Sequence, residues 1–216
     1  LPSIGGKDSM SGTFNDIDVP PTLCSFAVDI AKTGDVVSPE LKKAGNVLVK
    51  FDIEKDKYSL PVYDKLMSLY SKITDMIKSK VIVSAYAVGF GGICEAVSKM
   101  AFGNGLGVKI DESVDRDELF AKEYGSIIAE VSADDLDKIT AEYKKIALVT
   151  DDAEFVYGDA VISMKEALEN WTGKLESVFP TRSDVEQIEL EDKLFDAKTV
   201  YTAKNKVARP KVFIPV

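Results

Sequence analysis

The chain has 216 residues, of which 45% are hydrophobic and 29% charged, and its formal net charge is −9. This composition is typical of a globular protein, and the length suffices for one domain with a sizeable core. The negative charge argues against nucleic acid and anionic lipid as partners. No apolar run reaches the roughly 18 residues that a membrane-spanning helix needs.

Histidine is absent from the sequence, which excludes Ser-His-Asp and Cys-His catalytic pairs and any His-ligated zinc site. Cys24 and Cys94 are the two cysteines. A chain of this length does not need a disulfide to fold, so we expect reduced thiols and a cytoplasmic protein. Any chemistry here therefore depends on carboxylates, lysines, backbone N–H groups or residues from outside the chain.

The first half of the chain predicts two helices and two strands. Residues 5–13 are small and polar and predict a flexible loop, whereas the apolar residues 22–28 predict a strand. Ser-Pro-Glu at 38–40 has the N-cap, first-turn proline and acidic residue of a helix that would end at Gly45. A strand over 46–53 follows, and then the longest predicted helix, over 61–80, with apolar residues at three- and four-residue steps.

The second half continues the alternation of strands and helices. Its predicted elements are a helix at 115–124, a strand at 125–131, a helix at 133–144, strands at 145–150 and 160–163, and a helix at 164–179. This alternation predicts an α/β fold. Beyond Pro180 the apolar period disappears and the sequence predicts a connector.

The central stretch, residues 79–110, joins an apolar strand to a helix through the turn Gly89-Phe90-Gly91-Gly92. A helix start presents unpaired N–H groups to an anion, and glycine lets the backbone approach a ligand closely. Gly89, Gly91 and Gly92 are therefore candidate phosphate-binding residues.

A packing role explains the same turn. The sequence lacks the Gly-Lys-Ser/Thr of a P-loop and the G-x-G-x-x-G spacing of a dinucleotide site. Glycines in tight turns between a strand and a helix often serve only to let the two pack closely. The residues alone leave both interpretations open.

A second candidate segment is Gly5-Gly6-Lys7-Asp8-Ser9. Its N–H groups and the Lys7 ammonium suit a phosphate, and the Asp8 carboxylate suits Mg²⁺. The alternative is a polar loop without a ligand.

Four stretches resemble the phosphoribosylformylglycinamidine synthase (FGAM synthase) family. They are GGKDSMS at 5–11, VGFGGICEA at 88–96, WTGKLESVFPT at 171–181 and RPKVFIPV at 209–216. The second is similar to the glycine turn of the carboxy-terminal domain in proteins related to AIR synthase. Their order and spacing also fit that family's large single-chain form.

The resemblance implies a fragment of a longer chain. Residues 1–37 would be the tail of an AIR-synthase-related amino-terminal domain, and 38–180 the second carboxy-terminal domain, a mixed sheet with packed helices. Residues 181–210 would be a linker, and 211–216 the first strand of a glutamine amidotransferase domain. The partners implied are the remaining domains of the same chain.

The activity implied by the resemblance is a ligase step of purine biosynthesis. ATP and Mg²⁺ would activate the formyl amide oxygen of formylglycinamide ribonucleotide (FGAR), and ammonia from glutamine would replace it to give FGAM. No catalytic residue is assigned to this chain, which is expected to be inactive alone. The glycine residues named above and Lys7, Asp8 and Ser9 are its candidate nucleotide or phosphate contacts.

Two other functions remain open at this stage. One is a stand-alone module that binds a nucleotide or phosphate ligand without catalysis. The other is a dimerisation or packing domain, in which Gly91→Ala would lower stability and leave ligand affinity unchanged.

Overall fold

The computed structural model describes residues 3–8, 12–20, 22–181, 198–199 and 202. In chain order the elements are β1 (Ser3–Asp8), β2 (Gly12–Phe14), β3 (Ile17–Val19), β4 (Leu23–Ala27), β5 (Val47–Phe51), α1 (Tyr63–Lys78), β6 (Ile82–Ala87), α2 (Gly92–Asn104), β7 (Gly107–Ile110), α3 (Arg116–Leu119), β8 (Ile127–Val131), β9 (Lys144–Thr150), β10 (Glu154–Tyr157), β11 (Ala160–Ser163) and α4 (Met164–Gly173). Short 3-10 turns lie at Thr33–Asp35 and Ala133–Lys138.

Seven strands form one mixed sheet in the order β11-β10-β7-β9-β5-β8-β6. The β10–β7 pair is parallel, and the other neighbouring pairs are antiparallel. Helices pack on this sheet, so the predicted α/β fold with a mixed sheet is confirmed.

The central strand β5 shows why the sheet is covered on both faces. All five of its residues are buried. Val47, Val49 and Phe51 pack with residues of α1, whereas Leu48 belongs to a cluster built around α2. Alternate residues of a strand point to opposite faces, so α1 covers one face of the sheet and α2 the other.

Helix α1 follows the predicted 61–80 helix with slightly shorter bounds. Its inward positions include Ile73 and Met76, which are buried against the sheet. The helix ends where the Ser79 hydroxyl donates to the Asp75 carbonyl, 2.9 Å away, and Lys80 adopts a left-handed φ of 63°. A residue in that conformation ends the helical hydrogen-bond pattern.

The amino-terminal part of the chain contains more strand than the sequence predicted. The stretch 5–13, predicted as a flexible loop, includes most of β1 and the start of β2. Strand β1 pairs antiparallel with β4, which confirms the strand predicted at 22–28. The apolar side chains of Leu23 and Phe26 in β4 are nevertheless 80% and 53% exposed.

The helix predicted from Ser38 to Gly45 is absent. Instead, the Leu41 N–H donates to the Met100 carbonyl at 2.9 Å. The N–H groups of Lys42 and Lys43 donate to the Glu130 carboxylate, at 2.7 and 3.0 Å. Tertiary partners thus satisfy the backbone groups that a helix would otherwise pair.

Three further helix predictions were too long. Helix α3 is a single turn within the predicted 115–124, and 133–144 contains a 3-10 turn and the first residue of β9 instead of a helix. Helix α4 ends at Gly173 rather than at residue 179. Strands β7 and β10, of four residues each, were not predicted.

The division at residues 37, 180 and 210 remains a prediction. The supposed amidotransferase strand at 211–216 and most of the supposed linker lie outside the described residues. In the part of the chain that the structure describes, no helix has both the length and the apolar character needed to cross a bilayer.

Candidate phosphate-binding site

The glycine turn lies between β6 and α2. Strand β6 ends at Ala87, and the Val88 N–H donates to the Ser126 carbonyl at 2.9 Å, which extends the contact with the chain entering β8. Gly91 is the N-cap of α2, and the helix begins at Gly92. The predicted order of strand, turn and helix is therefore confirmed, and it places Gly89, Gly91 and Gly92 in one turn.

The start of α2 is capped by its own carboxylate. The Gly91 N–H donates to Glu95 Oε2 at 2.7 Å, and Glu95 Oε1 forms an ion pair with Lys99 Nζ at 2.6 Å. The Lys99 ammonium and then the Gly91 N–H hold the pKa of Glu95 below its usual value. The position at the helix start is thus suited to negative charge, as the helix dipole requires.

Glu95 also explains why residue 91 is glycine. A Cβ built on Gly91 would lie 2.9 Å from Glu95 Oε2 and against its Cβ. Any larger residue would push away the carboxylate that caps the helix.

Gly92 is constrained by a different neighbour. Its φ is +68°, and a Cβ there would lie 2.7 Å from the Leu119 carbonyl oxygen and 2.8 Å from that of Ala121. The first oxygen belongs to the last residue of α3 and the second to the backbone that follows this helix. Glycine at 92 is therefore required by packing and by backbone conformation, whether or not a ligand binds.

An exposed cation lies beside the turn. Lys122 Nζ is 4.0 Å from the centre of the Phe90 ring. Among the described residues, no carboxylate forms an ion pair with Lys122. Lys122 is thus a positive group available to an anion at the turn.

An apolar cavity of about 670 Å³ adjoins the same region. Its lining includes Cys94 of α2, Leu119 and Phe120 beside the turn, and Phe155 and Tyr157 of β10. Burial raises the pKa of the Cys94 thiol, which disfavours the reactive thiolate. The cavity could contact the apolar part of a ligand whose charged group lies at the turn.

The second predicted segment lies in a different sheet. Gly5, Gly6, Lys7 and Asp8 belong to β1, whose partner is β4, and Ser9 lies outside the described residues. The Gly6 backbone faces the Cys24 carbonyl, which a Cβ would approach to 3.2 Å. Ligand contact by this segment remains a prediction.

Sequence reasoning missed Glu95, Lys99 and Lys122. The Glu95–Lys99 pair has the i, i+4 spacing of a helical ion pair, a signal that was present in the sequence. Lys122 is 32 positions from Phe90 along the chain, and only the folded structure brings them together.

A metal site is not evident in the described residues. No group of three or more Cys, Asp or Glu side chains among them is arranged to hold a metal ion. No step below is assigned to a metal ion held by these residues.

The mixed sheet with helices on both faces is shared with solved structures of PurL. Phosphoribosylformylglycinamidine synthase II of Thermotoga maritima is a structural neighbour with a TM-score of 0.55 and 15% identity, over 74% of this chain and 30% of that one. T. maritima PurL complexed with FGAR has a TM-score of 0.52 and 14% identity, over 82% and 34% of the two chains. These likenesses establish the fold.

The sequence comparison gives the particular relative. The chain is 26% identical over 204 residues to the phosphoribosylformylglycinamidine synthase subunit PurL of Pelagibacter ubique, and the match covers 81% of this chain and 28% of that protein. No family model matches the chain. The resemblance carried by the motifs is thus confirmed: the chain is similar to a part of an FGAM synthase subunit, and it spans less than a third of that relative's length.

Proposed function

We propose that the chain is part of an FGAM synthase, the ATP-dependent ligase that converts FGAR, glutamine and ATP to FGAM in purine biosynthesis. Its sheet domain contributes the turn at 89–92 to a ligand site that other parts of a longer protein complete. The sequence relation to PurL carries this proposal. The complexes of T. maritima PurL with FGAR and with ATP support these two molecules as ligands.

The role of the turn in this proposal is to hold a phosphate. A ligand phosphate would replace the Glu95 carboxylate at the Gly91 N–H, and Glu95 would keep its ion pair with Lys99. The Lys122 ammonium would add a second positive contact beside Phe90. The carboxylate already bound at this N–H supports an anion site, since both groups offer negatively charged oxygens.

The remaining contacts would come from elsewhere in the complete protein. Within this chain, Asp8 remains the candidate carboxylate for the Mg²⁺ that accompanies ATP, with the nucleotide phosphates as further ligands. The segment from Gly5 to Ser9 would contact a ligand phosphate. The division into 1–37, 38–180, 181–210 and 211–216, the large single-chain form and the amidotransferase partner all belong to this proposal.

A cytoplasmic location is also proposed. Cys24 and Cys94 are both free thiols, which supports a reducing compartment.

The first experiment is a thermal titration of the chain with Mg·ATP, Mg·ADP and inorganic phosphate. Because a ligand that binds only the folded state stabilises it by RT ln(1 + [L]/Kd), an incomplete site predicts a small shift that does not saturate. A shift that saturates at micromolar ligand would instead indicate a stand-alone binding module. It would refute the proposal that other domains are needed.

The second experiment measures FGAM formation from FGAR, glutamine and ATP. We expect no turnover by the chain alone and turnover by a longer protein that includes the remaining domains. In that longer protein, Lys122→Ala should raise the KM for FGAR or ATP roughly tenfold, a loss of about 1.4 kcal/mol of binding. Lys138→Ala is the control, since Lys138 pairs with Asp135 in the 3-10 turn. Equal effects of the two substitutions would remove Lys122 from the site.

A further inference from the structure

A buried lysine lies beneath the segment that contacts the glycine turn. Lys50 of β5 exposes 1% of its side chain, and its Nζ is 2.9 Å from Asp52 Oδ1 and 3.3 Å from Glu118 Oε1. It also forms an ion pair with Glu123. Burial lowers the pKa of Lys50, but the carboxylates of Glu123 and Asp52 outweigh it, so the pKa lies above its usual value. Lys50 is therefore a buried charge that is paired with three carboxylates.

Two of those partners bracket the backbone that packs on Gly92. Glu118 precedes Leu119 and Glu123 follows Ala121, the residues whose carbonyl oxygens face Gly92. Glu118 is held a second time by Lys144. Both ends of this short stretch are thus tied to the sheet by lysines.

Glu123 depends on Lys50 in particular. Its buried Oε2 atom faces the Lys50 ammonium in an ion pair, and no other side chain in the described part of the chain pairs with it, so Lys50 offsets the cost of its burial. Without the lysine, this carboxylate would move toward water and carry its backbone with it.

We propose that Lys50 is a positioning residue for the glycine turn: by holding Glu118 and Glu123 it seats residues 118–123 against Gly92. The same segment carries Lys122, whose ammonium lies over Phe90. Lys50 thus sets the relative position of the Gly91 N–H and the Lys122 ammonium. This deepens the proposed phosphate site, on which its functional meaning rests, but the positioning itself is measurable without a ligand.

The test uses native-state NMR of the chain with Lys50→Met, which keeps the apolar stem and removes the charge. Exchange of the Gly91 and Gly92 amide hydrogens should be about tenfold faster, equal to roughly 1.4 kcal/mol of local stability. The pKa of Glu95, read from its side-chain resonance, should rise toward its usual value, because its bond from Gly91 weakens while Lys99 remains. Lower global stability alone would not shift a pKa measured in the folded protein.

Two further variants complete the test. Glu123→Gln removes one charge on the segment with little change in volume, and should reproduce a smaller part of both effects even if Lys50→Met does not fold. Asp135→Asn is the matched control, since it breaks one carboxylate–lysine pair in the 3-10 turn. The proposal is wrong if folded Lys50→Met exchanges these amide hydrogens at the wild-type rate and keeps the wild-type Glu95 pKa. If Lys50→Met does not fold, the same result in Glu123→Gln would overturn it.

A separate measurement distinguishes this proposal from the proposed function. Because the site in this chain is incomplete, the comparison uses the stabilisation per unit of phosphate concentration, which should be about tenfold smaller in Lys50→Met than in the wild type. If the wild type shows no binding while the turn still moves in the variant, the phosphate site is wrong and the positioning role stands. If phosphate binds equally to both while the turn is unchanged, the positioning role is wrong and the site stands.

Discussion

Replacing Gly92 with Ala tests whether the segment after α3 really constrains the turn. The φ of +68° at this residue costs a residue with a Cβ roughly 1–2 kcal/mol. The new Cβ would also lie 2.7 to 2.8 Å from backbone atoms of residues 119–121, which cannot rotate away as a side chain can. Overpacking of that kind costs about 1–3 kcal/mol. We therefore expect Gly92→Ala to lower the free energy of unfolding by about 2–5 kcal/mol.

Substitutions at two other glycines separate the cost of the backbone conformation from the cost of overpacking. Gly105 ends α2 with a φ of +66°, and a Cβ there would meet no atom within 4 Å, so Gly105→Ala should cost only the roughly 1–2 kcal/mol of the backbone conformation. Gly89→Ala would place its Cβ 3.4 Å from Glu95 Oε2, a contact that the side chain can relieve. Its effect should lie within about 0.5 kcal/mol of zero.

Urea unfolding followed by circular dichroism measures all three variants. The urea midpoint should be highest for Gly89→Ala, lower for Gly105→Ala and lowest for Gly92→Ala. The m-value should not change, because the surface exposed on unfolding is the same. A loss at Gly92 equal to the loss at Gly105 would mean that residues 119–121 do not press on the turn. That outcome would also remove the physical basis for the Lys50 proposal.

Three other predictions concern side chains around the sheet. Glu95→Gln should cost about 0.5–1 kcal/mol at pH 7, and the difference from wild type should vanish in acid. Because the pKa of Glu95 is lowered in the folded protein, its contribution to stability is present above the unfolded-state pKa of 4.5. That contribution is lost as the pH falls through the folded-state pKa, so urea unfolding of both proteins from pH 7 into acid would show the difference disappear. Glu130→Ala should lower the free energy of unfolding by about 3–5 kcal/mol. The reason is that the carboxylate is fully buried and accepts three hydrogen bonds, one of them from Asn46. An unchanged urea midpoint would contradict this prediction. Phe102→Leu should lower the free energy of unfolding by about 0.5–1.5 kcal/mol more than the loss of buried apolar area accounts for. It should also shift the fluorescence emission of the single tryptophan, Trp171, whose ring stacks on Phe102 with 5.4 Å between the ring centres.

The periodicity of apolar residues predicted the elements whose own sequence has a clear apolar pattern. Helix α1 has a regular apolar stripe, and strands such as β5 and β9 have apolar runs long enough to recognise. The short helix after Ser38 failed for the opposite reason. Its capping residues are real local signals, but the Glu130 carboxylate lies 88 residues from Lys42 in sequence and satisfies the same N–H groups. No local pattern contains that information.

The candidate site was predictable to the same extent. The order of apolar strand, glycine turn and helix identified residues 89–92 from the sequence. The sequence did not reveal why positions 91 and 92 must be glycine. At Gly91 the reason is the conformation of the Glu95 side chain, and at Gly92 it is the nearby backbone of Leu119 and Ala121. The sequence predicts Lys50 only as one residue of the strand over 46–53, because Glu118 and Glu123 approach it only in the folded chain.

The structure changes what the glycines of the turn can be evidence for. Gly91 and Gly92 are each accounted for by a neighbour within the chain, so their presence does not by itself argue for a ligand. Packing does not explain the exposed lysine over Phe90. The Glu95 carboxylate caps the helix, and a phosphate at the Gly91 N–H would have to displace it. The two interpretations therefore separate at Glu95 and Lys122. If the turn only packs, Glu95→Gln lowers stability and phosphate has no effect on either protein. If the turn holds phosphate, Glu95→Gln weakens the competing carboxylate, and phosphate should stabilise this variant more than the wild type, with Lys122→Ala abolishing the difference.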